Sequence, residues 1–210
     1  MSARYLLTFR KDGSARFLSH LDLQATLEYA MRRAALPVEL SEGFNPRPRY
    51  SLVTALPLGY VGERELLELT LREPLPAPEV TARLNAALPD GIIMASAEPL
   101  PGRVPTATRL QRAVYRIQLR QDITDLHDRV RALVERPELL VEEEHGGKRR
   151  TRDVRPLLLS LQCVDSRLLR LVTKLTGEGS VRPDEIVRAL TIKPRDAVIT
   201  RERIELAPLS

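Results

Sequence analysis

The sequence predicts an α+β protein made of two ferredoxin-like halves, each running β-α-β-β-α-β with a mostly antiparallel sheet. Three observations predict it. Alternating apolar segments and amphipathic segments follow one another twice in the same order. A proline-rich stretch, Pro99, Pro101, Gly102 and Pro105, separates the two runs. The chain has 210 residues, 43% hydrophobic and 29% charged, which is enough to bury a core in each half. The boundaries that follow are 1–98 for the first half, 99–108 for a linker and 109–210 for the second, basic half.

In the first half, Arg4 to Arg10 alternates and places Tyr5, Leu7 and Phe9 on one side of a strand. Lys11-Asp12-Gly13-Ser14 is a turn. Ser19 caps a helix whose apolar positions are Leu23, Leu27, Ala30, Met31 and Ala34. Pro37 opens a short strand, Val38 to Leu40. Residues 43–50 form a loop with two prolines, and residues 51–58 are apolar. Glu65 to Leu71 alternates as a strand, Glu79 to Leu88 is a helix behind Pro76 and Pro78, and Ile92 to Ala97 is a strand.

In the second half, Ala113 to Arg120 is a strand and Thr124 to Glu135 a helix. Leu139 to Glu144 is a strand that runs into a hairpin-like turn at His145-Gly146-Gly147-Lys148. Val154 to Val164 fits a strand or a short helix. Leu168 to Leu175 is a strand, Pro183 to Leu190 a helix and Ala197 to Leu206 a strand. No sequence repeat links the halves, so the duplication rests on element order alone.

Composition excludes several classes of function. One cysteine, Cys163, cannot hold an iron–sulfur cluster or a structural zinc. His20, His127 and His145 lack metal-ligand spacing, and no metal or cofactor is expected. The ten glycines never form a GxxxxGK[ST] or GxGxxG phosphate loop. No apolar run reaches the roughly 18 residues of a membrane span, so no membrane partner is expected. The first ten residues lack the pattern of a signal peptide, which together with the lone cysteine predicts a cytoplasmic protein. Cys163 is expected to be buried and inert.

The charge has a direction. The net charge is +5, and only four of the 33 basic residues are lysine. Residues 1–105 carry 12 basic and 12 acidic side chains, so the excess lies in residues 106–210, with 21 basic and 16 acidic. The densest cluster is Lys148, Arg149, Arg150, Arg152 and Arg155, with Asp153 the acid within it. Arginine binds phosphate bidentately and stacks on bases, which makes RNA a candidate partner. A solvated arginine surface fits the same composition.

A set of motifs lies across the first 70 residues. It comprises Arg16-Phe17-Leu18-Ser19-His20-Leu21-Asp22-Leu23, Arg33-Ala34-Ala35-Leu36-Pro37, Ser41-Glu42-Gly43-Phe44-Asn45-Pro46-Arg47-Pro48-Arg49 and Ala55-Leu56-Pro57-Leu58-Gly59. Together these resemble the radical-SAM-linked protein family, the DUF2344 domain. Asp153-Val154-Arg155-Pro156 and residues 177–183 are similar to it in the second half. The family's loop carries histidine and lysine where this chain has Arg47 and Arg49, so no proton transfer is expected at position 47. The resemblance implies an accessory protein encoded beside, or fused to, a cobalamin-binding radical SAM protein, in a gene context that points to RNA. The chain lacks a cysteine triad, so the radical chemistry would belong to that partner.

The resulting site expectation is a cationic groove lined by Arg16, His20, Arg47 and Arg49 and extended by Lys148, Arg149, Arg150, Arg152 and Arg155, with Ser19, Asp22, Gly43, Phe44 and Pro46 as motif residues. Each has a plainer alternative. Ser19 and Asp22 can simply cap and complement a helix. The 43–50 loop can be a rigid crossover, and Arg16 a surface ion pair. Two other functions stay open. One is a metal-independent endoribonuclease similar in outline to the CRISPR precursor-processing enzymes, with His20 as base, although Gly177-Glu178-Gly179 is a meagre counterpart of their glycine-rich loop. The other is a pure protein-interaction subunit.

Overall fold

A computed structural model describes residues 2–145, 148–175 and 180–208; the side chains of 143–145 and 148–149 are outside the described set. The chain divides into two compact units, Met1–Arg109 and Leu110–Ser210.

In the first unit the order is β1 (Ala3–Lys11), α1 (His20–Arg33), β2 (Tyr50–Leu52), β3 (Val61–Leu71), α2 (Ala77–Asn85) and β4 (Ile92–Pro99). The strands lie as β4-β1-β3 with β2 on β3, and every pairing is antiparallel. This is the strand order of the split βαβ arrangement. Alternation along β1 and β3 sends Tyr5, Leu7, Phe9, Leu67, Leu69 and Leu71 into a core with Leu23, Leu27 and Met31 of α1 and Val80 and Leu84 of α2. Each buried leucine contributes about 2 kcal/mol of transfer free energy. The opposite face of the sheet carries Arg4, Thr8, Glu68 and Thr70, and the short 3-10 turn Thr106–Arg109 is tied to it through Glu68.

Two expectations need correction here. Val38 and Leu40 make only isolated bridges, to Leu71 and Pro48, because Pro37 and the loop that follows leave too few residues for a ladder. The edge strand is Tyr50–Leu52 instead. The stretch 99–108 is not a free linker. Leu100 N–H donates to the Arg4 carbonyl at 2.8 Å, Arg4 reaches back to the carbonyl of Val104 at 3.1 Å, and Thr106 N–H donates to Glu68.

The second unit runs β5 (Leu110–Leu119), α3 (Leu126–Val134), β6 (Leu140–His145), β7 (Lys148–Asp153), β8 (Leu158–Asp165), β9 (Leu168–Lys174), α4 (Pro183–Ala189) and β10 (Ala197–Leu206). Its sheet is β10-β5-β9-β8, again antiparallel throughout. Relative to the first unit, last, first, third and second strands fall in the same spatial order. The addition is the hairpin β6–β7, inserted after the first helix. The arginine run 148–153 is therefore a strand, and 154–164 resolves into a short 3-10 turn, Arg155–Leu157, leading into β8. Pro156 sits at the start of that turn, where its missing N–H is harmless. Ala113, Tyr115, Ile117, Leu169 and Leu171 of the sheet, Leu126, Val130 and Leu133 of α3, and Ile186 and Val187 of α4 are all buried.

Candidate nucleic-acid interface

The segment 16–22 is fixed by its surroundings. Lys11 is buried at the end of β1 and its ammonium donates to the Leu18 carbonyl at 3.0 Å. Gly59 N–H donates to the Arg16 carbonyl at 2.9 Å, and Asp12 N–H to the Gly91 carbonyl at 2.8 Å. Gly91 has φ +86°, and a Cβ there would stand 2.7 Å from the Asp12 carbonyl oxygen, so glycine is required. The Arg16 guanidinium lies 4.6 Å from the centroid of the Phe17 ring. Phe17, Leu21 and Leu58 are each more than half exposed.

Ser19 and Asp22 close on each other. Asp22 N–H donates to Ser19 Oγ at 3.1 Å, while Ser19 Oγ donates to the Asp22 carboxylate at 2.7 Å and Ser19 N–H to it at 3.3 Å. This is a capping box, and it gives the plainer reading of both residues. It also places a carboxylate on the positive end of α1, where an anion was expected to bind. His20 is exposed on the first turn beside it.

The 41–49 loop is pinned at its base. Ser41 N–H donates to the Arg47 carbonyl at 2.8 Å, Arg47 N–H to Ser41 Oγ at 3.0 Å, and Arg49 N–H to the Glu39 carbonyl at 2.7 Å. Gly43 takes φ +118°, and the Phe44 ring stands fully in solvent. Pro46 and Arg47 line a cavity of about 500 Å³ with Arg32, Arg72 and Glu28. Arg49 lies on a different cavity, about 610 Å³, with Arg4, Arg103, Glu39 and Glu68. The Arg49 guanidinium is 3.1 Å from Glu39, and Arg4 is 2.9 Å from Glu68. Burial pushes the Glu68 carboxyl up, but its bonds from Thr106 and Arg4 outweigh that and hold it below the usual range. Burial and the hydrogen bond to Glu28 push the Tyr50 phenol up, so it stays protonated. Arg16 and His20 line neither cavity, so the four residues expected in one groove are distributed over the unit. Arg4 and Arg103 were not foreseen; only the fold brings positions 4, 49 and 103 together.

The 148–155 cluster belongs to the other unit, on β7 and the turn that follows it. Strand register puts Glu142 opposite Thr151, Glu143 opposite Arg150, Glu144 opposite Arg149 and His145 opposite Lys148. An acid-rich segment and a base-rich one are thus paired through their backbones. Arg152 donates to the Ser180 carbonyl at 3.2 Å and lies 3.6 Å from Glu185. Burial pushes the Glu185 carboxyl up, against the pull of Arg182 and Arg152. Arg155 donates to the carbonyls of Val134 at 2.9 Å, Arg136 at 3.1 Å and Leu158 at 3.3 Å. It thereby closes the C-terminal end of α3. Asp153 is engaged by the N–H groups of Leu139 and Arg155, which hold its carboxyl below the usual range. Within the similarity at 177–183, residues 177–179 lie outside the described residues.

Cys163 is half-buried rather than buried, beside a shallow cavity of about 470 Å³ that His127 also lines. Burial and the neighbouring Asp165 push its thiol up, which keeps it protonated. Among the described residues no group of three or more His, Cys, Asp or Glu is placed to hold a metal ion, and no helix is long and apolar enough to cross a membrane.

The structure thus defines a class: a tandem α+β chain whose two units share one strand order and carry arginine on the connection after the first helix. Over residues 4–183 the sequence matches the family described as an uncharacterized protein conserved in bacteria, DUF2344, and the chain belongs to that family. No curated protein matches it. Among solved structures it is similar to the crystal structure of an unknown protein from Galdieria sulphuraria, with 13% identity, 99% of this chain and 100% of that chain covered, and a TM-score of 0.29. A likeness of that size carries no argument.

Proposed function

We propose that the chain is a non-catalytic accessory protein that binds RNA, or a particle containing RNA, in the cytoplasm and works beside a radical SAM partner of the cobalamin-binding type. One observation supports the RNA part. Both units expand the same connection and place arginine on it: Arg47 and Arg49 on the 41–49 loop, Arg149 and Arg150 on the β7 strand. Phe44, fully exposed and three residues from Arg47, offers a stacking plane beside a guanidinium. The radical SAM part rests on the family resemblance and on the single cysteine, which leaves cluster chemistry to a partner. A second reading, a protein-interaction subunit, is favoured by the exposed Phe17, Leu21 and Leu58.

Fluorescence anisotropy with single-stranded RNA across a salt series tests the proposal. Affinity is expected to fall with salt, and the Arg47→Ala/Arg49→Ala double variant to flatten the logarithmic slope by about one unit or slightly more. Binding no tighter than millimolar at low salt removes RNA from the account and leaves the protein-interaction reading. Replacing His20 is expected to leave the slope unchanged. RNA cleavage that disappears in His20→Ala would instead establish the endoribonuclease alternative.

A further inference from the structure

The helix-free face of the second unit's sheet holds a cation array that neither the motifs nor the 148–155 run includes. Alternation along β5 buries Ala113, Tyr115, Ile117 and Leu119 and puts Arg112, Val114, Arg116 and Gln118 on the other side. Along β9 it buries Leu169, Leu171 and Thr173 and puts Arg170, Val172 and Lys174 on that same side. The register then sets Arg112 directly opposite Lys174, and Arg116 directly opposite Arg170. On the far side of β5, Arg203 lies opposite Val114. On the far side of β9, Gln162 lies opposite Arg170.

Facing like charges on neighbouring strands destabilise a sheet, and here two such pairs occur on one face. Acids meet the β5 member of each pair. Glu205 serves both Arg112 at 2.5 Å and Arg203 at 2.8 Å, and Glu202 lies 3.7 Å from Arg116. Arg170 and Lys174 are exposed and have no ion-pair partner among the described residues. Arg170 and Lys174 thus add charge to this face that no ion pair among the described residues meets. The repulsion is relieved when an anion lies across both pairs.

We propose that this face binds the phosphodiester backbone of single-stranded RNA, with Arg170 and Lys174 as principal contacts and Arg112, Arg116 and Arg203 around them. The inference rests on the RNA reading above and adds a site to it. Geometry supports the choice of ligand. The two cation pairs are four residues apart along their strands, about 13 Å, so the face suits an extended polyanion rather than one small ion. Arginine forks match phosphate oxygens, and Gln118 and Gln162 supply hydrogen-bonding groups at the margin. A second copy of the chain is disfavoured as occupant, because two such faces repel. No aromatic side chain lies on the face, so it reads phosphate and not base identity.

The test is the salt dependence of anisotropy with a labelled single-stranded RNA, on the full chain, comparing parent, Arg170→Gln/Lys174→Gln and a helix control, Arg131→Gln/Arg188→Gln. Loss of two contacts is expected to flatten the slope by about 1.4 units, so that between 50 and 200 mM salt the face variant loses about sevenfold less affinity than the parent. The helix control is expected to track the parent. The face variant should also melt at or above the parent temperature, because the substitutions remove like-charge pairs. Parent binding with an unchanged face variant overturns this site and leaves the RNA reading standing. Absence of parent binding overturns both. Equal competition by polyglutamate at matched charge overturns RNA as the ligand of the face, and a lowered melting temperature overturns the repulsion on which the inference is built.

Discussion

The two units order their sheet strands alike yet place charge differently. In the first, acids meet four of the guanidinium groups among the described residues: Arg4 by Glu68, Arg10 by Asp12, Arg49 by Glu39 and Arg83 by Glu79. In the second, the run that is densest in the sequence is partly structural: Arg155 is held by the carbonyls of Val134 and Arg136, and Arg152 lies 3.6 Å from Glu185. The cations without an ion-pair partner among the described residues, Arg170 and Lys174, sit elsewhere, on β9. Counting charge along a window sees neighbours in sequence. A sheet pairs residues tens of positions apart, so register decides which cations are free.

The largest effect that would break this comparison is on stability. Arg155→Ala withdraws donors from three carbonyls, two of them at the open end of α3. Leaving them unmet is expected to cost about 2–3 kcal/mol in urea unfolding. Arg47→Ala removes an exposed side chain and is expected to stay within about 0.5 kcal/mol. If Arg155→Ala is as mild as Arg47→Ala, Arg155 is not structural and returns to the candidate RNA contacts.

Much of the fold was legible because strand alternation and helix capping are local. Tyr5, Leu7 and Phe9 announced β1, and Ser19 announced the start of α1. The helix ends drifted by a few residues, as at Ala77–Asn85, where Pro76 and Pro78 fix the start but the last turn depends on packing. Strand β7 was missed because a run of four cations and a threonine carries no apolar alternation; its pairing with β6 is visible only in the backbone register. The candidate site was legible only in part. Motif residues Ser19 and Asp22 do meet, but in a cap. The cavity that joins Arg4, Arg49 and Arg103 depends on three distant segments, and no spacing in the sequence encodes that. The signal for the β5–β9 array was present, as Arg112/Arg116 and Arg170/Lys174 in phase with buried neighbours, but it needs the register to be read.

A middle-sized effect separates the units by pH. Glu68 of the first unit has its carboxyl held below the ordinary range, so its contribution is present above the unfolded pKa and is lost as pH falls through the folded one. Glu185 of the second unit is raised, chiefly by burial. Its sign is opposite: stability is fullest below the unfolded pKa and declines as pH rises through the raised value. Urea midpoints between pH 3 and 7 check this. Glu68→Gln is expected to reduce the acid-side loss, and Glu185→Gln to reduce the loss on the way to neutrality, each by roughly 1 kcal/mol. The glutamine at 185 still accepts the N–H of Arg182, which lies 2.8 Å from the carboxylate, so the cap survives the test. Identical profiles for the two variants would contradict the opposed environments.

The smallest effect compares one helix end from each unit. After α1, Ala35 takes φ +48°, with Ala35 N–H donating to the Arg32 carbonyl and Leu36 N–H to Met31. After α4, Thr191 takes φ +62°, with Thr191 N–H donating to Arg188 and Ile192 N–H to Val187. Both are Schellman closures in which a glycine is the usual residue. Two opposing terms decide what glycine does. Relief of the left-handed conformation is worth roughly 1–2 kcal/mol, and the added freedom of the unfolded glycine costs about 0.5–1 kcal/mol. For Ala35→Gly these nearly cancel, and a change within about 0.5 kcal/mol is expected. Thr191 is β-branched and suffers more at positive φ, so Thr191→Gly is expected to stabilise by about 1 kcal/mol. Thermal melts of the two variants side by side measure the difference. A destabilised Thr191→Gly would mean that the threonine side chain makes a compensating contact at the end of α4, and that the two helix ends are not closed by the same balance of terms.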